Sequence, residues 1–212
     1  MNEAFGVAVV LITAGLGLLA PNLLYDRGLP GALSRCVGAA LGGLAFLLAV
    51  LLLHPWTAVL LSFFAAASIA ALRLCFRRGL RGVRGVTRSR DWSEITFPVS
   101  ASFSLLAGWA LLDDRWLAFV PIAFVAWGDN AAGFTRAFAR NTAKPALPSL
   151  AMFGVCLALA AFVEPYRAGA AAAAAATLLE RYRPETRNLL DDNWLIVSVS
   201  FLVIAALTRL SD

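Results

Sequence analysis

The stretch WGDNAAGFTRAFARNTAKPALPSLAMF, residues Trp127–Phe153, is a polar segment in a chain that is otherwise strongly apolar. It contains the acid Asp129 and three spaced cations, Arg136, Arg140 and Lys144, the last of which is the only lysine of the protein. Ionisable side chains at membrane depth are costly, and a cluster of them marks a functional site by default. We therefore expect the rest of the chain to be arranged around this segment.

The apolar composition predicts an integral membrane protein. Apolar residues make up 60% of the chain and charged residues 15%, and the mean hydropathy is +0.77, which excludes an ordinary soluble domain. We expect an all-α, polytopic transmembrane bundle in a single domain, residues 1–212. Eight spans are predicted, two of them short: Ala4–Leu24, Cys36–Leu53, Trp56–Phe76, Ile95–Leu112, Trp116–Trp127, Ser149–Val163, Pro165–Leu179 and Trp194–Leu207.

The placement of cations predicts the orientation. Of the 18 Lys and Arg residues, fifteen fall on one side when alternate loops are grouped, and three, Arg115, Arg167 and Arg209, fall on the other. Because cytoplasmic loops carry the excess of positive charge, both termini are predicted outside and the 73–94, 128–148 and 180–193 loops inside. The most basic segment, 73–92, is predicted to be a flexible loop that anchors at anionic head groups. A surface that gathers a phosphorylated substrate is the alternative.

Several polar residues are expected to serve structure only. His54 precedes a proline in a predicted turn and has no ligand-spaced partner, so we expect it at the interface without a metal. Ser100 and Ser104 lie one helical turn apart and are expected to pack against a neighbouring helix. Pro98 is expected in the first turn of its helix. Three single cysteines in apolar runs are interpreted as small buried hydrophobes: Cys36, Cys75 and Cys156.

Carboxylates gather at the same predicted membrane face as the polar segment. Glu94 precedes one apolar run, and Asp191 and Asp192 begin the last. Glu180 ends an alanine-rich run that is predicted to be a tightly packed interior helix. Oxygen ligands of this kind hold Mg²⁺ together with substrate phosphates, and arginine and lysine neutralise phosphate oxygens. Phosphoryl transfer needs mainly positioning and charge stabilisation, so transfer of a phosphate or nucleotide onto a lipid is predicted. The signatures of soluble nucleotide-binding proteins do not occur in the sequence.

Five motifs resemble a family of membrane lipid kinases. They are SEITFP at Ser93–Pro98, GDNAAGFTR at Gly128–Arg136, the Lys144 segment leading into PSLAMF, ATLLE at Ala176–Glu180 and DDNWLIVSVSF at Asp191–Phe201. Over about residues 90–205, their order and spacing are similar to those of dolichol kinase, phytol kinase and CTP-dependent diacylglycerol kinase. The resemblance implies a CTP- and Mg²⁺-dependent kinase that phosphorylates the hydroxyl of a polyprenol-like or phytol-like lipid alcohol. The expected location is the cytoplasmic face of a prokaryotic plasma membrane.

The resemblance also implies roles for individual residues. Asp129, Lys144 and Glu94 would be catalytic, and Asp129 and Asp192 would hold the metal. The implied nucleotide-binding residues are Arg136, Arg140, Lys144, Ser149, Glu180, Asp191, Asp192 and Asn193. The partners would be a membrane lipid and a nucleotide, with no nucleic acid, and the sequence sets no oligomeric state.

Two other functions remain open. A cytidylyltransferase that forms a CDP-activated lipid would use the same nucleotide, metal and membrane face, although the chain lacks a Pro-Gly-His-Gly-Gly core. A transporter or a non-catalytic membrane protein is the third possibility, although no internal repeat of the kind that many transporters contain is evident.

Overall fold

The computed structural model describes residues 2–75, 93–138, 146–182 and 192–210, and the regular structure within these ranges is entirely helical. The all-α prediction is therefore confirmed for this part of the chain. We number its helices α1 (Glu3–Asp26), α2 (Gly31–Leu52), α3 (Pro55–Cys75), α4 (Ser93–Ser104, continued by the π-helical segment Leu105–Leu111), α5 (Arg115–Ala123, the π-helical segment Phe124–Asp129, then Asn130–Phe138), α6 (Leu147–Leu159, ended by the 3₁₀ turn Ala160–Phe162), α7 (Tyr166–Arg181) and α8 (Asp192–Arg209).

Length and composition make several of these helices membrane spans. Within the described ranges, α1, α2, α3, α5 and α8 are each long and apolar enough to cross a bilayer. Two shorter apolar helices, Ile95–Leu111 and Leu147–Phe162, belong to α4 and α6. The chain is thus a multi-pass membrane protein by these criteria, and the count of eight crossings stays a prediction.

The course of α5 corrects the sequence prediction. A short span ending at Trp127 and a loop over 128–148 were expected, but the helix continues to Phe138 and is 24 residues long. No proline interrupts Gly128–Phe138, and alanines are frequent in it, so the helix can persist into the polar segment. The first of its two glycines packs closely against α6, since a Cβ added at Gly128 would lie 2.4 Å from the Cys156 Sγ. The remainder of the expected loop, 139–145, lies outside the described residues.

Contacts between the helices show that they alternate in direction from α1 to α7. At one end, the backbone N–H of His54 in the α2–α3 turn donates to the Glu3 carboxylate (3.2 Å) at the start of α1. At that same end the Trp116 ring at the start of α5 stacks on Phe162 at the end of α6 (4.8 Å). The other end, where α1, α3, α5 and α7 finish, is called the site end below. Its assignment to the cytoplasm remains a prediction from the charge distribution.

The centre of the bundle is α5. Of the five long apolar helices it is the most enclosed, since 67% of the residues in its 18-residue apolar stretch are buried. Its first half packs in one apolar cluster with α1 to α4 and in a second with α6 to α8. The second cluster contains the alanines of α7, which let backbones approach closely, as the composition predicted: Ala168, Ala172, Ala173 and Ala176.

The serines of α4 serve helix packing, as predicted. Ser104 donates a hydrogen bond to the Ala118 carbonyl of α5 (2.7 Å), and Ser100 donates within its own helix to Phe97. A third serine that the sequence analysis did not single out, Ser102, accepts a bond from a serine of α3 and donates to the Pro98 carbonyl. Pro98 itself lies inside α4, because the helix begins earlier than expected, at Ser93.

The cysteine prediction holds for one residue only. Cys156 is fully buried in the core, but Cys36 is partly exposed and Cys75 is exposed at the end of α3. The reason is that a membrane-spanning helix is apolar on its outer face as well as on its packed face, so an apolar run does not show which side faces the core.

Candidate functional site

Two helices bring three charged side chains together at the site end. The Arg136 guanidinium of α5 forms an ion pair with the Glu180 carboxylate of α7, and its Nη2 lies 4.0 Å from Asp129 Oδ1. Asp129 and Arg136 are two helical turns apart and therefore share a face of α5. We call Asp129, Arg136 and Glu180 the acid–arginine site. Carboxylates from two distant segments of the sequence thus converge on one guanidinium.

Burial differs strongly among the three side chains. Glu180 is 6% exposed, Asp129 26% and Arg136 43%. A carboxylate as enclosed as that of Glu180 needs a partner, since an unpaired buried charge is expensive. The arginine supplies this partner from the more open side of the site.

Local sequence explains the shape of α5 at Asp129. Pro121 lacks a backbone N–H, so it interrupts the hydrogen-bond ladder shortly before the π-helical segment Phe124–Asp129. Such π segments occur frequently at functional sites. Asp129 is the last residue of the segment, and regular α-helix follows it through Arg136.

Side chains next to Asp129 fasten α5 to α2. The Asn130 amide donates to the Cys36 carbonyl (2.6 Å), and the Trp127 indole N–H donates to the Ala40 carbonyl (3.2 Å). Both are bonds from side chains to backbone across a helix interface. Neither Asn130 nor Trp127 was predicted to have this role, although a polar amide directly after an apolar run was the available signal in the sequence.

An open groove of about 300 Å³ lies beside these two hydrogen bonds. Most of its lining side chains are apolar, and it is bounded by Cys36, Trp127, Asn130, Ala131, Phe134 and Thr135. The ring of Phe134 is exposed and packs against that of Phe138 (4.7 Å between centroids). The groove therefore runs along the face of α5 that is turned to α2.

The remaining predicted site residues divide into two groups. Within the described ranges, Ser149 is buried in the first turn of α6, Asp192 begins α8, and Asn193 is buried beside it. Their participation in the site stays a prediction. Glu94 belongs to α4, but its side chain lies outside the described residues, as do three whole residues: Arg140, Lys144 and Asp191.

The carboxylates of the acid–arginine site determine whether it could hold Mg²⁺. The described ranges hold no group of three or more His, Cys, Asp or Glu residues that could bind a metal by themselves. Mg²⁺, however, is usually held by one or two carboxylates plus substrate phosphates. Asp129 and Glu180 meet this requirement, because both already face one cation, the Arg136 guanidinium. The predicted pairing of Asp129 with Asp192 remains a prediction.

Comparison with known proteins gives no relative: a scan against protein-family models, a search of curated proteins and a search of solved structures find no match. The chemistry of the acid–arginine site is therefore what supports a functional proposal.

Proposed function

We propose that this protein is a lipid alcohol kinase that uses CTP and Mg²⁺ at the site end of the bundle. One observation carries the proposal: Asp129, Arg136 and Glu180 meet at the end of a bundle of membrane-spanning helices. Clustered charges at membrane depth are expensive and are usually kept for function. Two carboxylates with a guanidinium supply what phosphoryl transfer requires, which is positioning and neutralisation of phosphate charge.

In this reaction the hydroxyl oxygen of the lipid forms a bond to the γ-phosphorus of CTP, and the bond from that phosphorus to the β–γ bridging oxygen breaks. The products are a lipid monophosphate and CDP, and the hydroxyl proton passes to a carboxylate. Asp129 would hold Mg²⁺, with Glu180 or Asp192 as a second carboxylate, and the bound ion would neutralise the phosphate oxygens. Lys144 would contact the nucleotide phosphates as a compact point charge.

The groove along α5 offers a place for the lipid. Its volume of about 300 Å³ is at the lower end of the range for small-molecule pockets, and its mostly apolar wall suits a hydrocarbon chain. By helical periodicity, Ala131 and Phe134 lie on the opposite face of α5 from Asp129 and Arg136. The hydroxyl end of a chain bound in the groove would therefore have to pass around α5 to reach the acid–arginine site.

The test is a transfer assay with protein purified in detergent. CTP labelled at the γ-phosphate, CTP labelled at the α-phosphate and γ-labelled ATP are each offered with three lipid alcohols, a polyprenol, phytol and diacylglycerol. Each is also offered with a lipid monophosphate, which is the acceptor that a cytidylyltransferase needs to form a CDP-activated lipid. A kinase transfers only the γ-label to the lipid and prefers CTP. Transfer of the α-label with release of pyrophosphate would instead identify a cytidylyltransferase, and no transfer to any lipid would reject both enzymes.

A matched variant separates the site from general damage. Asp129→Asn should abolish transfer, whereas Asp113→Asn changes the same group in the α4–α5 turn at the opposite end. Asp113 is exposed and has a φ of 57°, a conformation that asparagine also tolerates. Equal loss in the two variants would mean that Asp129 has no special role.

A further inference from the structure

The position of Arg136 has a consequence for cation binding. Its guanidinium is already paired with Glu180 and lies 4.0 Å from Asp129, and these are the two carboxylates that would receive a divalent ion. The site therefore contains a cation of its own, covalently attached to α5. A metal ion that enters has to share these oxygens with the guanidinium or displace it.

We propose that Arg136 is an internal competitor: it neutralises Asp129 and Glu180 at rest and leaves them when a divalent cation binds. The identification of that cation as the Mg²⁺ of a nucleotide complex rests on the proposed function. The competition itself rests only on the geometry of the three side chains.

Charge makes simultaneous occupancy unfavourable. Two carboxylates carry two negative charges, and the guanidinium already compensates one of them. A divalent ion bound to the same oxygens would lie within a few ångströms of the guanidinium, where like charges repel strongly in the low dielectric of a protein. Displacement of the arginine relieves this repulsion and leaves the two carboxylates matched by the ion.

Burial decides which partner moves. Glu180 is 6% exposed on a tightly packed helix, so its carboxylate has little freedom. The Arg136 side chain is 43% exposed, and long arginine side chains can place their charged end at the membrane interface while the stem stays on apolar surface. The guanidinium is therefore the group that swings out, and the carboxylates remain in place.

This arrangement lowers the apparent affinity of the resting protein for the ion. When only a fraction of molecules has the arginine displaced, the apparent dissociation constant equals the intrinsic constant divided by that fraction. A protein that is open about one-tenth of the time binds the ion about tenfold more weakly than one from which the competitor has been removed.

The experiment measures Mn²⁺ binding by electron paramagnetic resonance, with purified protein in detergent and without CTP or lipid. Arg136→Gln removes the competing charge, and Arg136→Lys keeps a charge but loses the planar fork. Arg115→Gln is the matched control, because Arg115 lies on the same helix at the opposite end. We expect Arg136→Gln to bind Mn²⁺ about tenfold more tightly than the wild type or more, Arg136→Lys to be intermediate, and Arg115→Gln to be unchanged.

Each other outcome contradicts the proposal. Unchanged Mn²⁺ affinity in Arg136→Gln would show that the arginine has a structural role only and does not compete with the ion. Weaker Mn²⁺ binding would show that the arginine contributes directly to the ion site. Absence of Mn²⁺ binding in every variant would also reject it. If Arg136→Gln does not fold, the wild type and Arg136→Lys still give the comparison, since only competition predicts tighter binding in the lysine variant. Because no nucleotide is present, a failed transfer assay alongside confirmed competition would reject the kinase and leave this inference standing.

Discussion

The unequal burial of Arg136 and Glu180 predicts that their two single substitutions differ in cost. Removing Arg136 leaves a carboxylate that is 6% exposed without its main partner and beside a second acid, Asp129. Breaking a buried pair in this way costs about 3–5 kcal/mol, and because the site is partly open we expect about 2–4 kcal/mol for Arg136→Gln. Removing Glu180 instead leaves a guanidinium that is 43% exposed and retains Asp129, so Glu180→Gln should cost about 0–1 kcal/mol.

Thermal unfolding in detergent measures this difference through the fluorescence of the six native tryptophans. At about 2–4 °C per kcal/mol for a protein of this size, Arg136→Gln should lower the midpoint by about 5–15 °C and Glu180→Gln by at most about 4 °C. The double variant should be close to Glu180→Gln, because no buried charge is left unpaired. Mn²⁺ should raise the midpoint of Arg136→Gln more than that of the wild type. Equal losses in the two single variants would show that burial does not determine the cost.

Three further predictions concern packing and chemistry. Gly128→Ala should destabilise the protein by about 1–3 kcal/mol, because the added methyl group would lie 2.4 Å from a cysteine sulfur of α6. Gly154→Ala is the control, since there is open space around that glycine, and thermal unfolding should show no loss of stability for it. Asp129→Asn should lower kcat at least about 100-fold while the circular dichroism spectrum stays unchanged, and retained turnover would remove Asp129 from the mechanism. Lys144→Ala and Asp192→Asn should each weaken CTP binding, and the loss of binding free energy that calorimetry measures for the double variant should differ from the sum of the two single losses. A double variant whose loss equals the sum of two small losses would contradict a shared site.

Much of the helical architecture could be predicted from the sequence, because membrane helices are set by runs of apolar residues. The ends of α1 and α3 fall close to the predicted spans, whereas α2 begins at Gly31 and not at Cys36. The alanine-rich α7 is a packed interior helix, as its composition indicated. The error at α5 has a physical origin. Hydropathy measures whether a segment prefers lipid, and it does not detect that a polar segment such as Gly128–Phe138 can remain helical when its charges are paired across the bundle.

The sequence could indicate which residues form the candidate site, but it could not indicate which of their side chains form ion pairs. Asp129, Arg136 and Glu180 were each singled out as charges at one membrane face, which the charge distribution could indicate. All three were expected to face a nucleotide or metal, whereas the structure pairs the arginine with the two acids. This pairing depends on the π-helical turn before Asp129 and on the close packing of α7, and both are properties of three-dimensional packing that a linear pattern does not contain.

A membrane protein that binds a cation at carboxylates has to satisfy two opposed conditions. Carboxylates at membrane depth are costly unless they are paired, so the resting site needs a cation. A site that is permanently paired cannot receive a ligand, so that cation must be able to leave. Arg136 satisfies both conditions, since it is held by Asp129 and Glu180 and yet is the most exposed of the three side chains. In the proposed competition, the same arginine determines how much stability the site contributes at rest and how tightly the site binds an ion. Substitutions at this position should then change the two properties in opposite directions.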